Sequence, residues 1–183
     1  MQIWQHFKTI TRHRFIVMAG CFRIGLIWQG LVHDLSKYSP TEFWAGARYY
    51  QGDRSPNAAE REAKGYSASW MHHKGRNRHH YEYWTDLNRQ TRRYESVPMP
   101  RKYLVEMVMD RRAACMVYQG KAYHPSSALE YYLKSLERNL MHPQTQQELE
   151  YILTMLADRG EKETFRYLRT QVLKGKPFPW ENE

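Results

Sequence analysis

The chain has 183 residues, of which 42% are hydrophobic and 14% aromatic, enough for one compact domain with a core and too apolar for a disordered tail. Its formal net charge of +9 and pI of about 9.6 favour anionic partners, whether an anionic phosphorylated small molecule, nucleic acid or an acidic surface, without choosing among them. No apolar run approaches the roughly 20 residues that span a bilayer, and the first residues lack a signal-peptide pattern, so a cytoplasmic protein with no membrane partner is expected. The two cysteines, Cys21 and Cys115, form no CxxC motif and read as reduced core residues.

Helical periodicity runs through most of the chain. Residues 2–18 place Ile3, Phe7, Ile10 and Val17 at helical spacing, and Ala19–Gly20 marks a break. A second helix is expected over 21–35 and a third over 40–51, with Pro40 in its first turn. The stretch "QGDRSPN" (51–57) reads as a loop. Short helices follow over 57–64, ended by Gly65, and over 66–73; another is expected over 79–90. "SVPMP" (96–100) breaks the pattern, and Pro100 opens a long helix to about Tyr118. "GKAYHPSS" (120–127) is a loop with Ser126 or Ser127 as an N-cap. Helices are expected over about 127–140, 143–158 and 160–173, followed by a loose tail at 174–183. No alternation is long enough for a sheet, and there is no internal repeat. The expected fold is all-α: a single-domain helical bundle.

Polar residues interrupt the apolar faces of these helices. His6, Ile10, His13 and Val17 share a face, at positions i, i+4, i+7 and i+11. His33 follows Phe22, Leu26 and Gln29 down one face, and Asp34 follows Ile27 and Leu31 down the next. Asp110 shares a stripe with Tyr103, Met107, Ala114 and Val117. An ionised carboxylate there costs several kcal/mol unless it is paired or bound to a metal. Four more histidines crowd "HHKGRNRHH": His73 falls with Trp70 and Tyr66, and His80 with Trp84 and Leu87. His72 and His79 fall on more polar faces.

The candidate ligand set is therefore His13, His33, Asp34, His73, His80 and Asp110. Four imidazoles and two carboxylates are enough for one or two divalent transition metals, with iron, manganese, zinc, cobalt and nickel all suited to such ligands. His6 is an alternative to His13. The inner pair is drawn from His72 or His73 and from His79 or His80. Each residue also has a plainer reading. A core histidine bonds a carbonyl, Asp34 is a local turn or cap residue near a helix end, Asp110 pairs with a buried arginine, and the histidine-rich stretch is a solvated anion-binding loop.

The order His … His-Asp … His … His … Asp on successive helices resembles the HD-domain metallohydrolase superfamily. "HDLSK" (33–37) is similar to that superfamily's HD-x-G-K stretch, with Ser36 at the glycine and Lys37 at the lysine. "VEMVMDRRAA" resembles the helix that carries the final aspartate. The likeness spans about residues 6–118, leaving the helices of about 126–173 outside it. The chain also resembles an uncharacterised bacterial domain family that shares "HDLSKYSPTEF" and "HHKGRN", which implies no activity.

The superfamily resemblance implies an HD-like all-α fold with a mono- or dinuclear centre, and hydrolysis of a phosphomonoester or phosphodiester, such as a nucleotide. His13, His33, Asp34 and Asp110 would hold one metal and His73 and His80 a second, with Asp34 bridging. Asp34 and Lys37 would stand at the chemistry, and Lys37, Lys74, Arg76 and Arg78 would receive the phosphate. Competing expectations are an HD-like structural or interaction protein without a metal, a basic nucleic-acid-binding helical module, and a di-iron oxygenase with the same ligand order.

Overall fold

The structure is a computed structural model that describes residues 1–135 and 140–182. Helix α1 (Ile3–Ile24) buries His6, Ile10, His13, Val17, Gly20, Cys21 and Ile24, a stripe spaced by threes and fours. It runs through Ala19–Gly20 without the expected break. Gly20 stays helical because α1 needs close approach there: a Cβ at this position would lie 2.9 Å from Met109 Sδ. The helix ends instead at Gly25, whose φ of +89° suits a residue without a Cβ. The expected helix over 21–35 is thereby divided. Its start belongs to α1, its middle forms the short α2 (Ile27–Val32), and its end leads into a 3-10 turn over Leu35–Tyr38.

Helix α3 (Pro40–Tyr49) starts where expected, with Ser39 Oγ accepting from Glu42 N and proline in the first turn. Helix α4 (Pro56–Lys64) ends at Gly65, φ +80°. Helix α5 (Ala68–Lys74) is capped by Ser67 Oγ, which accepts from Trp70 N at 3.0 Å. The helix expected over 79–90 does not form, and the expectation of no sheet fails with it. A 3-10 turn over Tyr81–Tyr83 leads into an antiparallel hairpin, β1 (Thr85–Asn88) and β2 (Arg93–Ser96), with Thr85 opposite Ser96 and Asn88 opposite Arg93. The turn explains the change. Asn88 Oδ1 accepts from Gln90 N and Thr91 N, Arg92 takes a left-handed φ of +57°, and Glu95 accepts from both Asn88 and Thr91.

Helix α6 (Arg101–Gln119) follows Pro100 as expected. Helix α7 (Ser127–Lys134) is shorter than the expected 127–140, whose residues 136–139 lie outside the described residues. Helix α8 (Pro143–Thr170) carries a non-helical residue, Gly160, at the expected boundary between two helices. Val17, Cys21 and Ile24 of α1 pack with Leu104, Val105 and Val108 of α6, and with Leu149, Ile152, Leu153 and Leu168 of α8. The C-terminal segment is not loose. Phe178 is fully buried, Trp180 stacks on it at 4.9 Å, and Arg101 binds Glu181 and the Lys176 carbonyl. Among the described residues no helix is long and apolar enough to cross a membrane. The result is one mostly helical domain.

Candidate metal centre

Asp34 is the hinge of the site. It stands between α2 and the following 3-10 turn, at the position where a capping residue would be, and its side chain makes no capping bond. Its φ of +54° and ψ of +23° put it in the left-handed region, which aspartate tolerates better than most residues. The turn leaves Asp34 1% exposed, in the protein interior.

Two groups of possible ligands share this carboxylate. In the first, His13 Nε2 lies 2.9 Å from Asp110 Oδ1 and 3.8 Å from Asp34 Oδ2, and His33 Nε2 lies 3.3 and 3.4 Å from the same two oxygens. In the second, His73 Nε2 and His79 Nε2 lie 3.3 and 3.5 Å from Asp34 Oδ1, and His80 stands with them. Within each set the donor atoms fall within 4.8 Å of one another. Asp34 thus offers one oxygen to each group.

Other carboxylates hold the imidazoles from behind. Glu106 Oε1 faces His33 Nδ1 at 2.9 Å and His79 Nδ1 at 3.2 Å. Glu42 takes His73 Nδ1 on one oxygen and His72 Nδ1 on the other, both at 2.7 Å. A carboxylate accepting from Nδ1–H turns the Nε2 lone pair of His33, His73 and His79 toward the centre, the arrangement found behind metal-ligating histidines. His33 Nε2, His79 Nε2, His80 Nε2 and Asp34 Oδ1 are buried without a hydrogen-bond partner. Buried polar atoms are rarely left so. His79 Nε2, His80 Nε2 and Asp34 Oδ1 fall in one group and His33 Nε2 in the other, and such donors, hard and borderline only, fit one or two divalent cations.

The electrostatics follow from that crowding. Burial works against the charge of Asp34 and Asp110. The imidazoles of His33 and His13 respectively, with Lys37 also beside Asp34, hold both carboxyls well below their usual range. Burial pulls His33 down, but the Asp34 charge and the Asp110 and Glu106 carboxylates outweigh it and hold His33 at about 10. Burial and the Lys37 charge lower His13. Burial, with His79 and His73 alongside, lowers His80 well below the ordinary value. Lys37 Nζ sits 2.6 Å from Asp34 Oδ2 and is pushed up by that charge and by Asp110 against the cost of burial.

The centre opens on a cavity of about 820 Å³. His13, Lys37, His73, His80 and Asp110 form part of its wall, and so do Arg54, Arg61, Tyr50, Trp70 and Tyr118. His6 also lines it, but belongs to neither ligand group. Its ring fills the space left by the missing side chain of Gly46, where a Cβ would come within 2.3 Å of His6 Nε2.

All six expected ligands are thus brought together. His79 joins them because its segment is a turn and not a helix, so His79 and His80 both face inward, whereas a helix would have separated them by about 100°. His72 stays at the edge, bonded to Glu42. The structure places none of Lys74, Arg76 and Arg78 on the cavity wall. Asn77 folds the turn back over His73, and Arg76 and Arg78 point outward, to the His72 carbonyl and to the rings of Tyr83 and Tyr103. Of the plain readings, Asp34 does stand in a turn but caps nothing, and Asp110 pairs with histidine while the neighbouring Arg112 binds Glu161.

Glu106 and Glu42 were missed. Glu106 lies four residues before Asp110 on the same face of α6, a spacing visible in the sequence. Glu42 was hidden by its place three residues after Ser39, where a glutamate ordinarily caps a helix; here only its backbone N–H is used in the cap, and its carboxylate reaches α5.

No curated protein and no solved structure matches the chain. One sequence family does match, over residues 2–155, a span that contains every residue of the centre. The chain belongs to that family, DUF5662, a family of unknown function.

Proposed function

We propose that this chain is a metal-dependent phosphohydrolase acting on a phosphomonoester or phosphodiester. The observation that carries the reading is the pair of buried histidine–carboxylate groups sharing Asp34 at the wall of a large cavity. The likeness of the ligand order to HD-domain hydrolases supports it. His13, His33, Asp34 and Asp110 would hold one cation; Asp34, His73, His79 and His80 would hold the other. Bound there, divalent metals supply a water of near-neutral pKa and polarise a phosphoryl oxygen.

The chain's own residues do the rest. Glu106 and Glu42 fix the imidazole rings, so no reorganisation is needed when charge develops. Lys37, within 2.6 Å of Asp34, is placed to take a phosphoryl oxygen by a charge-assisted hydrogen bond. His33, Asp34 and His79 are themselves buried away from bulk water, which strengthens both effects. Arg61 adds positive charge to a cavity with room for an organic substituent, while Arg54, also on the wall, pairs with Glu62.

The test is hydrolysis of p-nitrophenyl phosphate and bis(p-nitrophenyl) phosphate by protein loaded in turn with iron, manganese, zinc, cobalt or nickel. Turnover with at least one metal, lost in Asp110→Asn and reduced in Lys37→Met, is expected. A fully loaded protein that hydrolyses neither these esters nor a panel of nucleotides would contradict the reading.

A further inference from the structure

One surface feature has no part in the metal centre. The outward stripe of α1 carries Trp4, Phe15 and Phe22, at i, i+11 and i+18, spacings that fall on one helix face. Trp4 is 61% exposed and Phe15 54%. Lys8 and Arg12 lie on the same face, with Lys8 Nζ 5.1 Å above the Trp4 ring. Helix α2 lies alongside, since Gly30 packs against Met18, Cys21 and Phe22 of α1. It adds Ile27, Leu31 and a Trp28 that is 70% exposed. Exposed apolar side chains in this density mark a surface that meets something.

Charge selects the occupant. From Met1 to Ser39 the sequence holds five lysines and arginines and one acid, Asp34, which is buried; Lys37 pairs with it and Arg23 with Glu161, and Lys8 and Arg12 are the exposed cations of this face. Two copies of this face would bring Lys8 and Arg12 against their own kind with no carboxylate to meet them. The aliphatic Ile27 and Leu31 have no counterpart in a phosphate backbone, but they suit acyl chains. Tryptophan with neighbouring lysine and arginine is the side-chain mixture that lies in the headgroup region of an anionic bilayer. We infer that the α1–α2 face docks the protein onto a membrane surface rich in anionic lipid, lying on the bilayer and not crossing it. This departs from the expectation of no membrane partner, which addressed spanning segments alone, and it stands independently of the proposed chemistry.

The experiment is sedimentation of the full chain with vesicles of phosphatidylcholine alone or mixed with phosphatidylglycerol, at low and high salt. Binding should rise with the phosphatidylglycerol share and weaken with salt. The Phe15→Ser/Trp28→Ser and Lys8→Glu/Arg12→Glu variants should each bind at least about tenfold more weakly, with unchanged circular dichroism. Tyr94→Ser, which removes an exposed aromatic on the hairpin, should bind like the parent. No binding to anionic vesicles, equal binding to neutral ones, or a dimer in sedimentation equilibrium that Phe15→Ser/Trp28→Ser dissolves would each overturn the inference.

Discussion

Helix α6 borders two interiors of opposite character. Toward α8 it presents Leu104, Val105 and Val108, and the space between is filled by aliphatic side chains such as Leu149, Ile152 and Leu153. Toward α1 and the turns that follow α2 and α5 it presents Glu106 and Asp110, and the space is filled by imidazoles and carboxylates. The first interior stabilises the fold by burying apolar surface, about 25 cal/mol per Å². The second gains nothing comparable, because desolvating its charges costs several kcal/mol per ion before any pairing. A fold that maintains such a region beside an adequate apolar core uses it for something other than stability.

That contrast yields separable expectations. The largest concerns the shared carboxylate. Asp34→Asn keeps the shape and tolerates the same backbone, but should remove essentially all bound metal from both groups, as read by plasma mass spectrometry on protein with an unchanged dichroism spectrum. If one equivalent survived, the sharing would be wrong.

Leu153→Ala, on the other side of α6, should cost about 2–5 kcal/mol in chemical denaturation, because the fully buried leucine leaves a cavity. Metal content per folded molecule should stay at the parent level. A parallel loss of metal would mean that the two interiors are one unit.

Glu106→Gln is a smaller change. The amide can still face His33 and His79 but no longer carries the charge that makes those rings better ligands. Metal affinity should fall about 10- to 100-fold in competition with a chelator. An unchanged affinity would reduce Glu106 to a packing residue.

The smallest effect lies away from both interiors. Glu60 accepts from Ser67, Ser69 and Lys64, and these bonds, against the cost of burial, bring its pKa down to about 2. A carboxyl whose folded pKa is depressed contributes stability that is present above its unfolded value, near 4.5, and is lost as pH falls toward 2. Glu60→Gln should therefore flatten the stability profile in that window and leave its shape near neutrality unchanged. An identical acid limb in both proteins would contradict the assignment.

The sequence disclosed these regions unequally. Apolar periodicity sets the positions of α3, α4 and α6 to within a residue or two, because proline, serine and glycine punctuate them. It failed over 79–90, where both strands are largely solvent-exposed and carry no alternating apolar signal, and the hairpin is marked by the turn around Asn88 instead. The same failure set His79 on a polar face, as the alternative to His80 and not beside it. The ligands on regular helices, His13 and Asp110, were legible as polar residues in apolar stripes. Those in turns, Asp34 among them, were legible only through their neighbours, since helical faces do not apply to a left-handed residue. The cations of the "KGRNR" turn were misplaced for a related reason: nearness in sequence to a ligand does not fix direction where the chain reverses.

The most direct measurement is the metal content of the full chain, purified without chelator or a polyhistidine tag and then reconstituted with iron, manganese, zinc, cobalt and nickel in turn. The account predicts about two equivalents of at least one of these metals, held by the groups that share Asp34. Failure to retain any of them after reconstitution, in protein whose dichroism matches a helical fold, would contradict it.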